Sequence, residues 1–159
     1  MNNVLRGNTN NMAISSLQAA KKVCDLSGWT ITHLKLQKML YIFHLLYLGE
    51  KQEPLIKDEE FEAWTFGPVL PRLYDKMKLF KDRQITDIFF DIGLDVKIPE
   101  LIFLEEKYPE LSRKSPWDLV LMTHLKGGAW EKHFDEDQKS KIISNSDIAD
   151  EYESFYGKR

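Results

Sequence analysis

Four histidines and one Lys-Gln-Lys run are the groups in this chain most able to do chemistry. His33 and His44 stand eleven residues apart, three helical turns, so both project from nearly the same side of a helix with Gln37 and Leu40 between them. Zinc ligands on one helix stand three or four residues apart, whereas three turns span roughly 16 Å. A shared metal is therefore not expected, which leaves capping, surface or buried hydrogen-bonding roles. Thr123-His124 and His133 would suit a nucleophile and its base, yet no Ser or Cys elbow, paired-carboxylate motif or P-loop accompanies them. The expectation is a protein that is not an enzyme and needs no cofactor. His124, near a helix end, would favour the C-terminal dipole and bond locally.

Lys35, Gln37 and Lys38 interrupt the apolar run Leu34-Lys35-Leu36-Gln37-Lys38-Met39-Leu40-Tyr41. Two readings stand side by side. The lysines form a solvated flank whose stems cover apolar surface, or they edge a polar seam in which Glu62 pairs with one of them. A second block, Phe61 to Tyr74, concentrates Trp64, Phe66, Gly67, Pro68 and Pro71. Either its aromatics anchor a loop on the core while Gly-Pro makes the turn, or a rigid aromatic loop beside the helix offers preformed contact surface. Trp117 is expected in the core and Trp130 against a helix cap.

These residues must be placed by helices. Ser15 and Gln18 fit a capping box opening a helix that Gly28 stops. Thr32 fits the N-cap of a second, central helix with a wide apolar face ending at Gly49. Phe61–Phe66 reads as a short strand ended by Gly67-Pro68, and Pro71 suits the first turn of a third helix. The stretch 85–96 is ambiguous between a strand pair and irregular structure, with Gly93 as its turn. Pro99 opens a helix limited by Pro109, Ser115-Pro116 opens one running to Leu125, and a last helix covers about 146–156 with Ile148, Tyr152 and Phe155 on one side. The fold class expected is mainly α, a compact single domain of about six helices with a short extended or small β element around residues 61–66.

Composition narrows the function. At 159 residues, 43% of them hydrophobic, the chain suits one domain. A net charge of -3 and a pI near 5.8 disfavour autonomous nucleic-acid binding. The single cysteine, Cys24, permits no internal disulfide and points to a reducing compartment. No run approaches the length of a membrane span, and the start lacks a secretory h-region, so a cytoplasmic protein is expected. Residues 1–13 hold five Asn and read as a flexible arm, with Met12 a candidate alternative start.

The two central blocks, with Leu119, Thr123-His124 and Ala129-Trp130 further on, resemble the Panacea domain, the SocA-like antitoxin family that also includes the phage-associated GepA proteins. The resemblance runs from about Ser15 to Tyr156 and assigns residues 14–159 to that helical domain. It implies an antitoxin that neutralises a cognate protein toxin, encoded by an adjacent gene, by direct binding in a bacterial or prophage-encoded setting. The alternative is a phage or mobile-element regulator or adaptor that delivers a partner to a cellular protease. Members usually carry Lys or Arg with Tyr where this chain has Thr65-Phe66. The residues marked by motif or as partner-binding candidates are Lys35, Gln37, Lys38, Tyr41, Glu62, Trp64, Phe66, Gly67, Pro68, Pro71, Tyr74, Thr123, His124 and Trp130.

Overall fold

The computed structural model describes residues 14–86, 88–138 and 140–157. The expected N-terminal arm, with Met12, lies outside the described residues. Helix α1 (Ser16–Leu26) opens with the reciprocal Ser15/Gln18 capping box, and Gly28 follows its end at a φ of 66°. Its inward face is Ala19, Ala20, Val23 and Cys24, all fully buried.

Helix α2 (His33–Lys51) starts where Thr32 accepts from the Lys35 N–H. It does not stop at Gly49. Gly49 lies under the Tyr152 ring, where a Cβ would come within 2.1 Å of Cγ, so its missing side chain admits a neighbouring helix and the end falls instead at left-handed Gln52. Leu36, Met39, Leu40, Tyr41, Phe43 and Leu45 are buried on all sides of α2, which makes it the central helix.

Beyond α2 the chain forms a three-stranded antiparallel sheet, order β2-β1-β3, from β1 (Glu62–Trp64), β2 (Gly67–Val69) and β3 (Lys141–Ile142). Glu62 pairs with Val69 and Trp64 with Gly67, while Ala63 faces Lys141 on the other side. Gly67-Pro68 therefore continues the extended chain rather than ending it, and the reversal falls on Thr65-Phe66. Pro68 is tolerated because β2 is an edge strand.

Helix α3 (Pro71–Met77) has Pro71 at its start and runs into a 3₁₀ turn, Lys78–Phe80. Of the ambiguous stretch, the described residues are irregular, reversing at Phe90-Asp91 and Val96-Lys97 rather than at Gly93. Helix α4 (Pro99–Ser112) continues through Pro109, and the added turn carries Leu111 into the core. Helix α5 (Pro116–Thr123) ends two residues before Leu125. The Thr123 hydroxyl and the His124 ring both donate to the Val120 carbonyl and take the acceptor that a further turn would use.

A short helix α6 (Ala129–His133) and the final α7 (Asn145–Phe155), capped by Ser144, bring the described α-helices to seven. Trp117 is 63% exposed rather than in the core, because α5 turns Leu119 and Val120 inward instead. Phe155 is likewise exposed, and α7 buries Ile148 and Glu151. Among the described residues no helix is long and apolar enough to cross a membrane.

Candidate functional site

The Lys-Gln-Lys run turns out to be a set of ties between α2 and the rest of the chain. Gln37 accepts from the Leu70 N–H at 2.9 Å and donates to the Leu70 carbonyl at 3.1 Å, a pairing of the kind two peptide groups make. Its second N–H faces His33 Nε2 at 3.2 Å. Lys38 is 1% exposed and donates to the Pro68 carbonyl at 2.7 Å. Burial depresses its ammonium to about 7. Lys35 goes elsewhere: its ammonium meets the Ser112 carbonyl at 2.8 Å, at the C-terminal end of α4 where a cation complements the helix dipole.

Neither reading of the lysines holds for Lys38: it is buried rather than solvated, and no seam with Glu62 forms, because Glu62 accepts from the Trp64 indole at 2.9 Å while each lysine is held by a carbonyl. Tyr41 donates to Glu151, which also accepts from the Ala129 N–H at 2.7 Å, so one buried carboxylate joins α2, α6 and α7. Burial raises the Glu151 carboxyl, and burial with the Glu151 charge raises the Tyr41 phenol well above its usual value.

These ties place the hairpin β1–β2 beside α2 and leave a cavity of about 450 Å³ between them. Its floor comes from α2, with His33, Leu34, Gln37 and Lys38. The hairpin contributes Trp64, Thr65, Phe66 and Val69, and Tyr74, Lys78 and Lys81 close the remaining side. Three rings make one continuous wall, His33 to Tyr74 at 5.1 Å between centroids and Tyr74 to Trp64 at 4.7 Å. Phe66, at the hairpin tip, is 61% exposed. Burial, with the Lys38 charge as the smaller cause, lowers the His33 imidazole to about 4. A neutral ring with Nε2 accepting from Gln37 fits that shift.

Behind β2, Gly67 is needed twice over. Its φ is 112°, and a Cβ would lie 2.9 Å from the Thr123 hydroxyl and 3.1 Å from His124 Cε1. The His124 ring packs tilted against Trp130 with centroids 3.9 Å apart, and the Trp130 indole donates to the Trp64 carbonyl at 2.7 Å, buttressing the hairpin from its far side. His124 does bond locally, its Nδ1 lying 2.6 Å from the Val120 carbonyl.

Of the sequence candidates, Gln37, Lys38, Trp64, Phe66 and Tyr74 line the cavity. Gly67, Thr123, His124 and Trp130 support the hairpin, Pro68 and Pro71 shape the chain on either side of Leu70, and Lys35, Tyr41 and Glu62 act away from the cavity. Lys78 and Lys81 were not among them. Lys78 follows Tyr74 by four residues, a spacing that puts both on one helical face, but the arrival of Lys81 depends on a turn with no sequence signal. The other candidate histidines are held in place by their neighbours: the Ile56 N–H donates to His44 Nδ1, whose Nε2 faces Asn145, and His133 meets Asp147. Among the described residues no group of three His, Cys, Asp or Glu could hold a metal ion.

Fold and site together define a small, mainly helical domain with an aromatic, lysine-bearing cavity beside a pinned hairpin. A family model described as Antitoxin SocA-like, Panacea domain, matches residues 36–131, and the chain belongs to that family. It is also 34% identical over 111 residues to Antitoxin SocA of Caulobacter vibrioides, an alignment covering 64% of this chain. The chain spans 58% of the length of that relative. No solved structure matches it.

Proposed function

We propose that this chain is an antitoxin that neutralises a protein toxin, encoded beside it, by stoichiometric binding and without turnover, in the bacterial cytoplasm. Membership of the SocA-like family supports the antitoxin role. The observation that carries direct binding is the exposed Phe66, held over the cavity by a hairpin whose second strand and the Leu70 that follows it are fixed to α2 by buried hydrogen bonds. A large aromatic on a rigid frame loses little entropy on association and suits an anchor at a protein interface.

The test is co-expression with the neighbouring gene product. Toxicity of that product alone, its suppression by this chain, and a complex that survives size-exclusion chromatography with toxin levels undiminished are the expected results. A harmless neighbour and no complex would refute the reading, and suppression accompanied by disappearance of the toxin would replace direct neutralisation with delivery to a protease.

A further inference from the structure

Lysines are the charged residues of the cavity. Lys38, Lys78 and Lys81 line it and, among the described residues, no carboxylate does, in a chain whose net charge is -3. Lys78 is met by Asp75 at 3.3 Å on the exposed side of α3. Lys38 spends one of its three donors on the Pro68 carbonyl and has no acidic partner within the described residues. Glu62, on the adjoining strand, is turned to the Trp64 indole and does not reach the lining.

Lys81 adds a second, independent observation. It occupies the second position of the turn Phe80–Arg83, closed by the Arg83 N–H donating to the Phe80 carbonyl at 2.9 Å. Its φ of 52° and ψ of -119° belong to a conformation that glycine dominates and other residues adopt only at a cost. Lys81 nevertheless stands there and lines the cavity, which places a cation at the site that the turn itself does not require.

Resting on the antitoxin reading above, we infer that this cavity seats a large apolar side chain of the toxin with a carboxylate beside it, so that the docking segment is acidic with an apolar anchor. The ring wall of His33, Tyr74 and Trp64, with Phe66 at the mouth, takes the anchor. Lys81, exposed at the lining, takes the carboxylate, for which charge-assisted bonds in a partly closed site are the strong ones. The long-range part of this complementarity would also steer encounter.

Two capped peptides test it, N-acetyl-Gly-Asp-Phe-Asp-Gly-amide and its Asn-Phe-Asn counterpart, titrated into the full chain and followed by amide NMR. The Asp peptide should perturb the amides of Leu34, Trp64, Phe66 and Val69 and bind about ten times more tightly than the Asn peptide, an advantage that shrinks at high salt. Lys81→Gly, which relieves the backbone, should unfold at a higher temperature and yet bind the Asp peptide several-fold more weakly. Equal binding of the two peptides, perturbations confined to another face, or unchanged binding by Lys81→Gly would each overturn the inference. In cells, a Lys78→Glu/Lys81→Glu variant that still forms the toxin complex and suppresses toxicity would remove the cavity as the docking site while leaving the antitoxin reading intact. Absence of any toxin partner for the unmodified chain would instead remove the antitoxin reading and the toxin as occupant.

Discussion

The side-chain amide of Gln37 and the backbone of Leu70 face each other as neighbouring peptide groups do in a sheet, with bonds of 2.9 and 3.1 Å in opposite directions. Through this pair the central helix holds the junction between β2 and α3, and Leu70 itself is fully buried. Replacing Gln37 with Met keeps most of the volume but strands a buried N–H and a buried carbonyl. The expected loss is about 2–4 kcal/mol in urea unfolding, well above that of a surface substitution.

Gly67 and Gly93 provide a matched contrast. Gly67 has a φ of 112° and the Thr123 hydroxyl 2.9 Å from where a Cβ would stand, whereas Gly93 has open space around that position and no positive φ. Gly67→Ala should cost about 1–3 kcal/mol or more, while Gly93→Ala should be neutral or stabilising by up to about 1 kcal/mol. Thermal unfolding of the two variants checks both signs.

The depressed imidazole of His33 gives a dependence on pH. Burial first, and the Lys38 charge second, move it from 6.5 to about 4, so between those values the unfolded chain binds the extra proton. Stability from this source is complete above pH 6.5 and falls as pH drops towards 4, by up to about 3 kcal/mol. The His33 ring should titrate near 4 by NMR. Because His44 is shifted in the same direction by burial, the stability term is read as a difference: His33→Gln should flatten the unfolding curve across that window relative to the parent chain.

Phe66 and Trp64 separate binding from folding. Phe66 is mostly exposed, so Phe66→Ala should change stability by less than about 0.5 kcal/mol while weakening the toxin complex at least about tenfold. Trp64 packs on Tyr74 and belongs to β1, so Trp64→Ala should lower both. Calorimetric titration with the purified toxin, beside thermal unfolding, distinguishes the two patterns.

Helix starts were the most legible part of the chain, because a cap is local: Ser15, Thr32 and Ser115 do what their types and spacing predict. Helix ends were legible only where the stop is local, as at Gly28. Gly49 lies inside α2 because Tyr152, more than a hundred residues later, packs on it, and Pro109 lies inside α4 because Leu111 belongs in the core. Strand β3 is two residues long and pairs with a segment nearly eighty positions away, which leaves no periodicity to read.

The site was legible in its residues more than in their roles. Lys38 looks like a solvated flank in a helical pattern, and what buries it is the carbonyl of Pro68, thirty residues on. The motif blocks thus marked groups that hold the hairpin to the helix, with Phe66, Trp64 and Tyr74 left to face outward into the cavity. Lys81 was invisible because its position follows from a strained turn that no residue type announces.

The contacts from Gln37 and Lys38 also decide what kind of recognition the sheet can take part in. β2 is an outer strand, yet the side of the chain around Pro68 and Leu70 is already occupied by groups from α2, and Pro68 has no N–H to offer. An incoming extended chain would have to break those bonds to pair there. The opposite margin is the two-residue β3, where Lys141 is drawn to Asp135. The sheet is therefore closed to strand addition along β2 and offers only a short, charged margin at β3, which protects the molecule from sticking to its own copies and leaves its side chains, rather than its backbone, to choose a partner.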